Sequence, residues 1–357
     1  MLTNTKLRLV IMLSVLSLAL FGCGNANGDA STANPNSNSK SNSTTVSSSD
    51  NLSSSPSGAA ANETAAGQSD SETASPADQA SPRAFTDDVG HKIDVPADPQ
   101  RIVAPYLEDA LLSLGVTPSA QWSAGALLLN YLQPQLKDVP KLDFINLPPE
   151  QIASFKPDLF IVPFAVRAEK GAYDQFAKIA PTYVFQDATK DWRKTLLTLG
   201  DLLGRTDKAN EALTAYDAKM AEIKQSLQDK AADKSAAILL ISDKSFSVMQ
   251  DRTYSGNVVY GTLGFRVPPQ AEGTDWKEIS LEVLPELDAD YIFLMQVDGA
   301  DPLQNKDLAS VYDTSVWKNL KAVQDGHVFS VDRDYWINAG LIANEKVAED
   351  VRKLVAG

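Results

Sequence analysis

The chain has 357 residues, with 46 acidic against 32 basic side chains and a formal charge of −14. That balance argues against a nucleic-acid-binding surface and against electrostatic adhesion to anionic lipid. The stretch from about Ala84 to Gly357 is long enough for two lobes, each with a core.

At the start, Lys6 and Arg8 precede an apolar run from Leu9 to Phe21. The run falls short of the roughly 20 residues that cross a bilayer and has the form of a secretory h-region. It ends in Leu20, Phe21, Gly22 and Cys23. A small residue before a lone cysteine, just after such a run, resembles the lipobox of bacterial lipoproteins. The resemblance implies a signal peptide over residues 1–22, cleavage before Cys23 and acylation of its sulfur, by palmitate or a similar chain. Phe21 is bulkier than is usual there. An ordinary signal with an incidental cysteine is the plainer alternative. Cys23 is the only cysteine, however, and one cysteine forms no internal disulfide. Residues 23–83 are rich in Ser, Asn and Ala and hold no aromatic residue before the folded part. Such a stretch cannot bury enough apolar surface to offset the entropy of ordering, and is expected to be a tether.

The folded part begins with turn chemistry at Gly90 and alternation toward Val95. Arg101 to Ala104 reads as a buried strand, and Leu107 to Gly115 as a short helix stopped by glycine. Pro148 and Pro149 open one or two helical turns up to Phe155, followed by the strand LFIV. A helix closed by Pro181 and the strand TYVF continue a strand–helix alternation that predicts a parallel α/β sheet. The rhythm then changes. Past a helix ending near Gly204, the spacing of Ala209, Leu213, Tyr216, Met220, Ile223 and Leu227 predicts one long helix over 206–229, with Thr206 able to cap it. Such a helix suits either a strut between lobes or a peripheral element packed on one of them. The α/β pattern resumes with AAILLI and SFSVM, a helix near NVVYGTLG, the strand DYIFLM, a Trp317 helix, the strand HVFSV and a C-terminal helix from about Ala339.

One outline occurs twice. Glu150, Ile152, Phe155 and Asp158 precede an apolar strand at the same spacing as Glu282, Leu284, Leu287 and Asp290. The spacing predicts one supersecondary unit used once in each half.

Behind a lipobox, these stations together resemble the periplasmic-binding-protein-like lipoproteins of bacterial iron-uptake transporters, of the ferric-siderophore and cobalamin type. The resemblance covers residues 84–357. It implies an α/β fold of two parallel-sheet lobes, 84–205 and 230–357, joined by the long helix, known as the class III arrangement. It further implies a monomer at the extracytoplasmic face of the cell membrane that delivers an iron(III)–siderophore complex to an ABC permease dimer driven by its ATPase. Ferric citrate, cobalamin or haem are alternative cargoes. Glu150 and Glu282 sit where family members place the acid of each lobe that meets the permease, and both also fit the plain role of an acid at a helix start.

Cargo is expected in loops beyond the carboxyl ends of strands. Those loops offer Tyr106, Arg167, Arg252 with Tyr254, and Arg333 with Tyr335 and Trp336, while Trp122 lies in an irregular segment of the first lobe. A set of arginines in contact would suit an anionic chelate; an aromatic cleft with few would suit a neutral hydroxamate. Core packing is the plain reading for the tryptophans. His91 and His327, the only histidines, lie beside glycines in turns, which disfavours binding of a bare metal ion. With no G-x-S-x-G elbow and no cysteine beyond Cys23, a tethered hydrolase is disfavoured as well, leaving a wall-exposed interaction protein as the other rival.

Overall fold

In the computed structural model the described residues are 81–242 and 245–356. The expected leader, the acylated Cys23 and the tether as far as residue 80 lie outside them.

An antiparallel hairpin of β1 (Arg83–Thr86) and β2 (Lys92–Val95) opens the fold. The first lobe is built on β3 (Ile102–Val103), β4 (Gln121–Ser123), β5 (Lys141–Asp143), β6 (Leu159–Val162) and β7 (Thr182–Val184). These pair in parallel as β3–β6–β7 and β4–β5, and a bridge between Val103 and Ala120 joins the two ladders. The strand order is therefore β5-β4-β3-β6-β7, and it reverses direction between β3 and β6. Side chains alternate between two buried faces. Ile102, Leu159, Ile161 and Tyr183 enter the main core, while Val103, Phe160, Val162 and Val184 enter a second one. Burial on both faces explains why LFIV reads as an unbroken apolar run.

The second lobe carries β8 (Ala236–Ser242), β9 (Ser245–Met249), β10 (Trp276–Ile279), β11 (Tyr291–Gln296) and β12 (Val328–Ser330), in the order β10-β9-β8-β11-β12. Only β8, β11 and β12 run parallel. SFSVM, expected to join a parallel sheet, turns back as a hairpin with Ser242 opposite Ser245. A parallel return needs a crossover of a dozen residues or more, and too few separate these strands. Here too the order reverses at the central pair, β8 and β11.

The long helix spans Thr206–Ala231. At 1.5 Å per residue it reaches about 39 Å. Thr206 is its first helical residue rather than its cap, and no side chain caps that end. The expected stripe is buried except at Leu213, which is half-covered. The stripe packs on two helices, Trp192–Leu202 of the first lobe and the C-terminal helix Leu341–Ala356. Trp192 meets Tyr216 edge to face at 4.9 Å, and Lys219 pairs with Glu345 at 3.1 Å and Glu349 at 3.7 Å. One continuous core runs from β1–β3 through these helices into the second sheet.

The repeated outline is one unit built twice. Glu150 is the second residue of the Pro149–Ser154 helix, and Glu282 the second residue of the Leu281–Leu287 turn. Pro285, which has no N–H, keeps the latter a 3-10 turn. Each ends in a left-handed residue, Lys156 at φ 50° and Asp288 at φ 42°. Each aspartate then fastens the start of its strand to the neighbouring parallel strand. Asp158 accepts the backbone N–H of Arg101 at 2.9 Å, just before β3. Asp290 accepts that of Ser235 at 2.8 Å, just before β8. Asp290 is buried and also pairs with Lys321. Burial alone would raise its pKa, but Lys321 and Ser235 outweigh that and hold it at about 2.

A second attachment between the lobes lies at Asp109, buried in the Glu108–Ser113 helix. Its carboxylate accepts the N–H groups of Ile342 at 3.0 Å and Ala343 at 2.9 Å, the free donors that open the C-terminal helix. The hydroxyl of Tyr131 donates to the same carboxylate at 3.0 Å. Gly340 makes this approach possible, because a Cβ there would collide with the carboxylate. Gly340→Ala is accordingly expected to lower unfolding stability by about 1–3 kcal/mol, the cost of displacing a buried partner. Urea unfolding in a double-mutant cycle with Asp109→Ala checks the cause. The glycine substitution should cost much less once the carboxylate is gone; equal costs in both backgrounds would refute the clamp.

Candidate functional site

The carboxyl ends of four parallel strands bring four aromatic rings together on the first lobe. Tyr106 leaves β3 after Ala104 and Pro105 with φ 74°, a left-handed conformation that a bulky residue rarely adopts. Trp122 stands in β4 at 6.2 Å, Phe144 directly follows β5 at 6.1 Å, and Phe164 follows β6 at 5.6 Å from the Tyr106 ring. Arg167 lies over Phe144 at 4.7 Å and donates to the Ile145 carbonyl at 2.9 Å. The cluster sits at the point where the strand order reverses, the position that open α/β sheets use for ligands.

The second lobe answers with Tyr254 and Arg333. Tyr254 is also left-handed, at φ 38°, and lies near enough to Tyr106 for each phenol to influence the other. Burial first, then the nearby Tyr254, pushes the Tyr106 pKa well above its ordinary value, so its phenol stays neutral. Arg333 opens the turn after β12, half-buried, with Asp334 and Asp298 nearby; burial lowers its pKa against their pull. Among the described residues its Nε, a buried atom, finds no acceptor, and neither does Nε1 of Trp122. Leu127, Ile145, Val166 and Val297 are exposed apolar residues in the loops after β4, β5, β6 and β11.

The structure thus brings together Tyr106, Trp122, Arg167, Tyr254 and Arg333. Trp122 belongs to a strand, not to an irregular segment, because β4 is only three residues long and buried on both flanks. Arg252 stands apart, exposed and 3.7 Å from Asp251. Trp336 is fully buried, 5.0 Å from Phe293, and its indole donates to Asp350 at 3.1 Å. The Tyr335 hydroxyl donates to the same carboxylate at 2.6 Å. Both side chains fold back to fasten their short turn onto the C-terminal helix, so Trp336 offers cargo no surface and Tyr335 turns its polar end away. Sequence reasoning missed Phe144 and Phe164, whose signal was available: each is within two residues of a strand end. It also missed Glu108 and Asp187, which carry no local signal. The histidines are held in place rather than merely solvated. His91 bonds Asp87 at 2.8 Å and stacks on Tyr173 at 3.5 Å; His327 lies against Tyr291 at 4.7 Å.

The sequence profile of the periplasmic binding protein family matches residues 109–335. The chain belongs to that family. "Probable siderophore-binding lipoprotein YfiY" of Bacillus subtilis (strain 168) is 30% identical over 267 residues, which are 71% of this chain and 81% of that one. The iron(3+)-hydroxamate-binding protein YxeB of the same strain is 31% identical over 273 residues, 73% of this chain and 81% of its own. Among solved structures, Staphylococcus aureus SirA complexed with staphyloferrin B is 26% identical, with TM-score 0.64, covering 76% of this chain and 98% of that one. The fold is accordingly the two-lobed α/β arrangement with a single long helix, and the family is one of binding proteins rather than enzymes.

Beneath the aromatic cluster of this periplasmic binding protein lies Glu108, fully buried. One carboxyl oxygen accepts the backbone N–H of Trp122 at 2.5 Å, and the other has no partner among the described residues. Burial raises its pKa from 4.5 to about 8, against the lowering effect of the backbone N–H groups. The folded state therefore holds a proton that the unfolded chain releases above 4.5. The corresponding stability is fully present below that pH and is lost as pH rises toward 8, at up to about 1.4 kcal/mol per unit. Urea unfolding from pH 5 to 8.5 should show this decline in the native protein and a flatter profile in Glu108→Gln. Parallel profiles would rule out a titrating Glu108.

Proposed function

We propose that this protein is the lipid-anchored, extracytoplasmic binding component of an ABC importer, capturing ferric ion already enclosed in a siderophore and handing it to a permease dimer. The observation that carries the reading is the pair of left-handed tyrosines. Tyr106 and Tyr254 stand in opposite lobes, lie near one another, and adopt a backbone conformation that costs on the order of 1–3 kcal/mol each. Strain of that kind persists where surrounding structure enforces it, and here one of the two residues, Tyr106, stands at the switch point of the first sheet. Aromatic rings for contact, with a few N–H donors that lack acceptors, suit a bulky organic chelate better than a bare ion. Siderophore-binding and hydroxamate-binding relatives support the same direction.

Tyr106, Trp122, Arg167, Tyr254 and Arg333 line the cargo site in this reading, with Arg252 at its margin. Acylation of Cys23 holds the protein at the membrane, and residues beyond it lift the lobes away. The exposed Glu150 and Glu282, one on each copy of the repeated unit, dock on the two permease subunits, since a chain with two matching halves facing a two-fold dimer needs one like charge per half.

Fluorescence titration tests the capture step, because Trp122 stands in the cluster. Among ferric siderophores, ferric citrate, haem and cobalamin, a ferric siderophore should quench with a Kd below about 1 μM, equivalent to about −8 kcal/mol. A response only to haem or cobalamin would replace the cargo, and none at all would overturn the reading. The docking step has a separate test. Glu150→Lys combined with Glu282→Lys should abolish uptake of labelled chelate by cells while leaving the titration unchanged; uptake that survives would refute docking.

A further inference from the structure

We infer that Tyr131 and Asp334 are positioning residues for the cargo cleft, and that the tie between them sets the spacing of its two walls before cargo arrives. This rests on the proposed capture of a chelate and names what prepares the cleft for it. The backbone N–H of Tyr131 donates to the Asp334 carboxylate at 2.7 Å, across 203 positions of the chain. Asp334 directly follows Arg333 in the turn Arg333–Trp336. That turn is fixed within its own lobe, because Tyr335 and Trp336 both donate to Asp350 of the C-terminal helix, at 2.6 and 3.1 Å. The Asn338 side chain also donates to the Asp334 carbonyl at 2.5 Å.

The other end of the tie is held as firmly. Tyr131 belongs to the segment 129–139, in which Leu129, Leu132 and Leu136 are buried in a small core of their own. Ile342 of the C-terminal helix packs against that core. Gln121 fastens the segment to β4. Its amide nitrogen donates to the carbonyls of Leu136 at 2.7 Å and Val139 at 2.6 Å, and its oxygen accepts from Gln133 at 2.8 Å. Gln121 is buried, and the next residue in the strand is Trp122. A hydrogen-bonded path therefore runs from the strand that carries Trp122 in one lobe to the turn that carries Arg333 in the other. Tyr131 is pinned at three points along it: its N–H at Asp334, its hydroxyl at Asp109, and its ring 6.1 Å from that of Tyr335. Walls already held at their binding distance spare the cargo the cost of ordering them, so the tie contributes affinity without touching the ligand.

Amide hydrogen exchange at Tyr131 reads the tie directly, without cargo. Stopped-flow tryptophan quenching reads its effect on cargo, with a ferric trihydroxamate, a ferric tricatecholate and ferric citrate as probes. Asp334→Ala should speed Tyr131 exchange about tenfold or more. It should also weaken binding of whichever probe the native protein takes by about fivefold, most of it as faster dissociation. The Ser235 amide, held by Asp290 elsewhere in the second lobe, should exchange as before, which shows that the fold is intact. Asp334→Asn keeps an oxygen that accepts an N–H and should return exchange and dissociation to within about twofold of native values. That rescue separates the tie from the charge beside Arg333. Tyr131 exchange that stays slow in Asp334→Ala overturns the inference, as does cargo dissociation that stays unchanged while exchange quickens. An Asp334→Asn protein that behaves like the alanine variant overturns it too. In those three cases capture of a ferric chelate still stands. If none of the probes quenches the native protein, the capture reading falls together with the inference.

Discussion

The interaction on which the rest of the molecule depends is the buried carboxylate of Asp109 at the start of the C-terminal helix. A carboxylate away from water is costly unless donors surround it, and here two helix N–H groups and the Tyr131 hydroxyl do so. The helix gains as well, because its first N–H groups have no partners within it. The geometric consequence is larger than the local one. The long Thr206–Ala231 helix alone would tether the lobes along one line. The C-terminal helix lies beside it, tied by Lys219 to Glu345 and Glu349, and its first turn is fixed to the opposite lobe. Tyr131 adds a further tie through its backbone N–H to Asp334 at 2.7 Å. Two lines of attachment resist twisting in a way that one does not, and they keep the carboxyl edges of the two sheets turned toward a shared seam.

How much of this was legible in the sequence depends on the range of the interactions involved. The repeated outline was legible because it is local: acid, apolar pair, acid and strand fall within a dozen residues, and both copies fold alike down to the left-handed residue before the aspartate. What Asp158 and Asp290 do was not legible, since their partners, Arg101 and Ser235, lie more than fifty residues away. The long helix announced itself by its apolar spacing; the Asp109 clamp did not, because its partner is 233 residues distant. The hairpin of β8 and β9 was misread for a different reason. Both strands are apolar and β-branched enough to pass for members of a parallel sheet, and direction is not written in composition. Trp336 shows the same limit for side chains. Its position after a strand suggested exposure to cargo, yet the indole had a nearer acceptor in Asp350 and a nearer ring in Phe293.

The two tyrosines illustrate information that sequence does not carry. Glycine at a turn advertises a left-handed backbone, but Tyr106 and Tyr254 adopt it without any such sign. Nothing about their neighbours in sequence requires it. The conformation follows from tertiary placement, with Tyr106 wedged among Trp122, Phe144 and Phe164 and Tyr254 of the other lobe nearby. Residues in such conformations gather where a binding surface is being shaped, and the inference from the strain to the site is stronger than any drawn from composition.

The two ends of each central strand pair are therefore built on opposite principles. At the amino ends of β6 and β11, Asp158 and Asp290 are saturated with donors, and the backbone there has no freedom left. At the carboxyl ends stand the strained Tyr106, after β3, and apolar side chains open to solvent, with N–H groups beneath that find no acceptor among the described residues. A folded chain tolerates a few such unfavourable groups only when the remainder is over-determined, because total stability is a small difference between large terms. The continuous core through the long helix and the Asp109 clamp provide that surplus. The carboxyl edges can then stay energetically incomplete, and an incomplete surface is one that a ligand of the right shape and charge can complete.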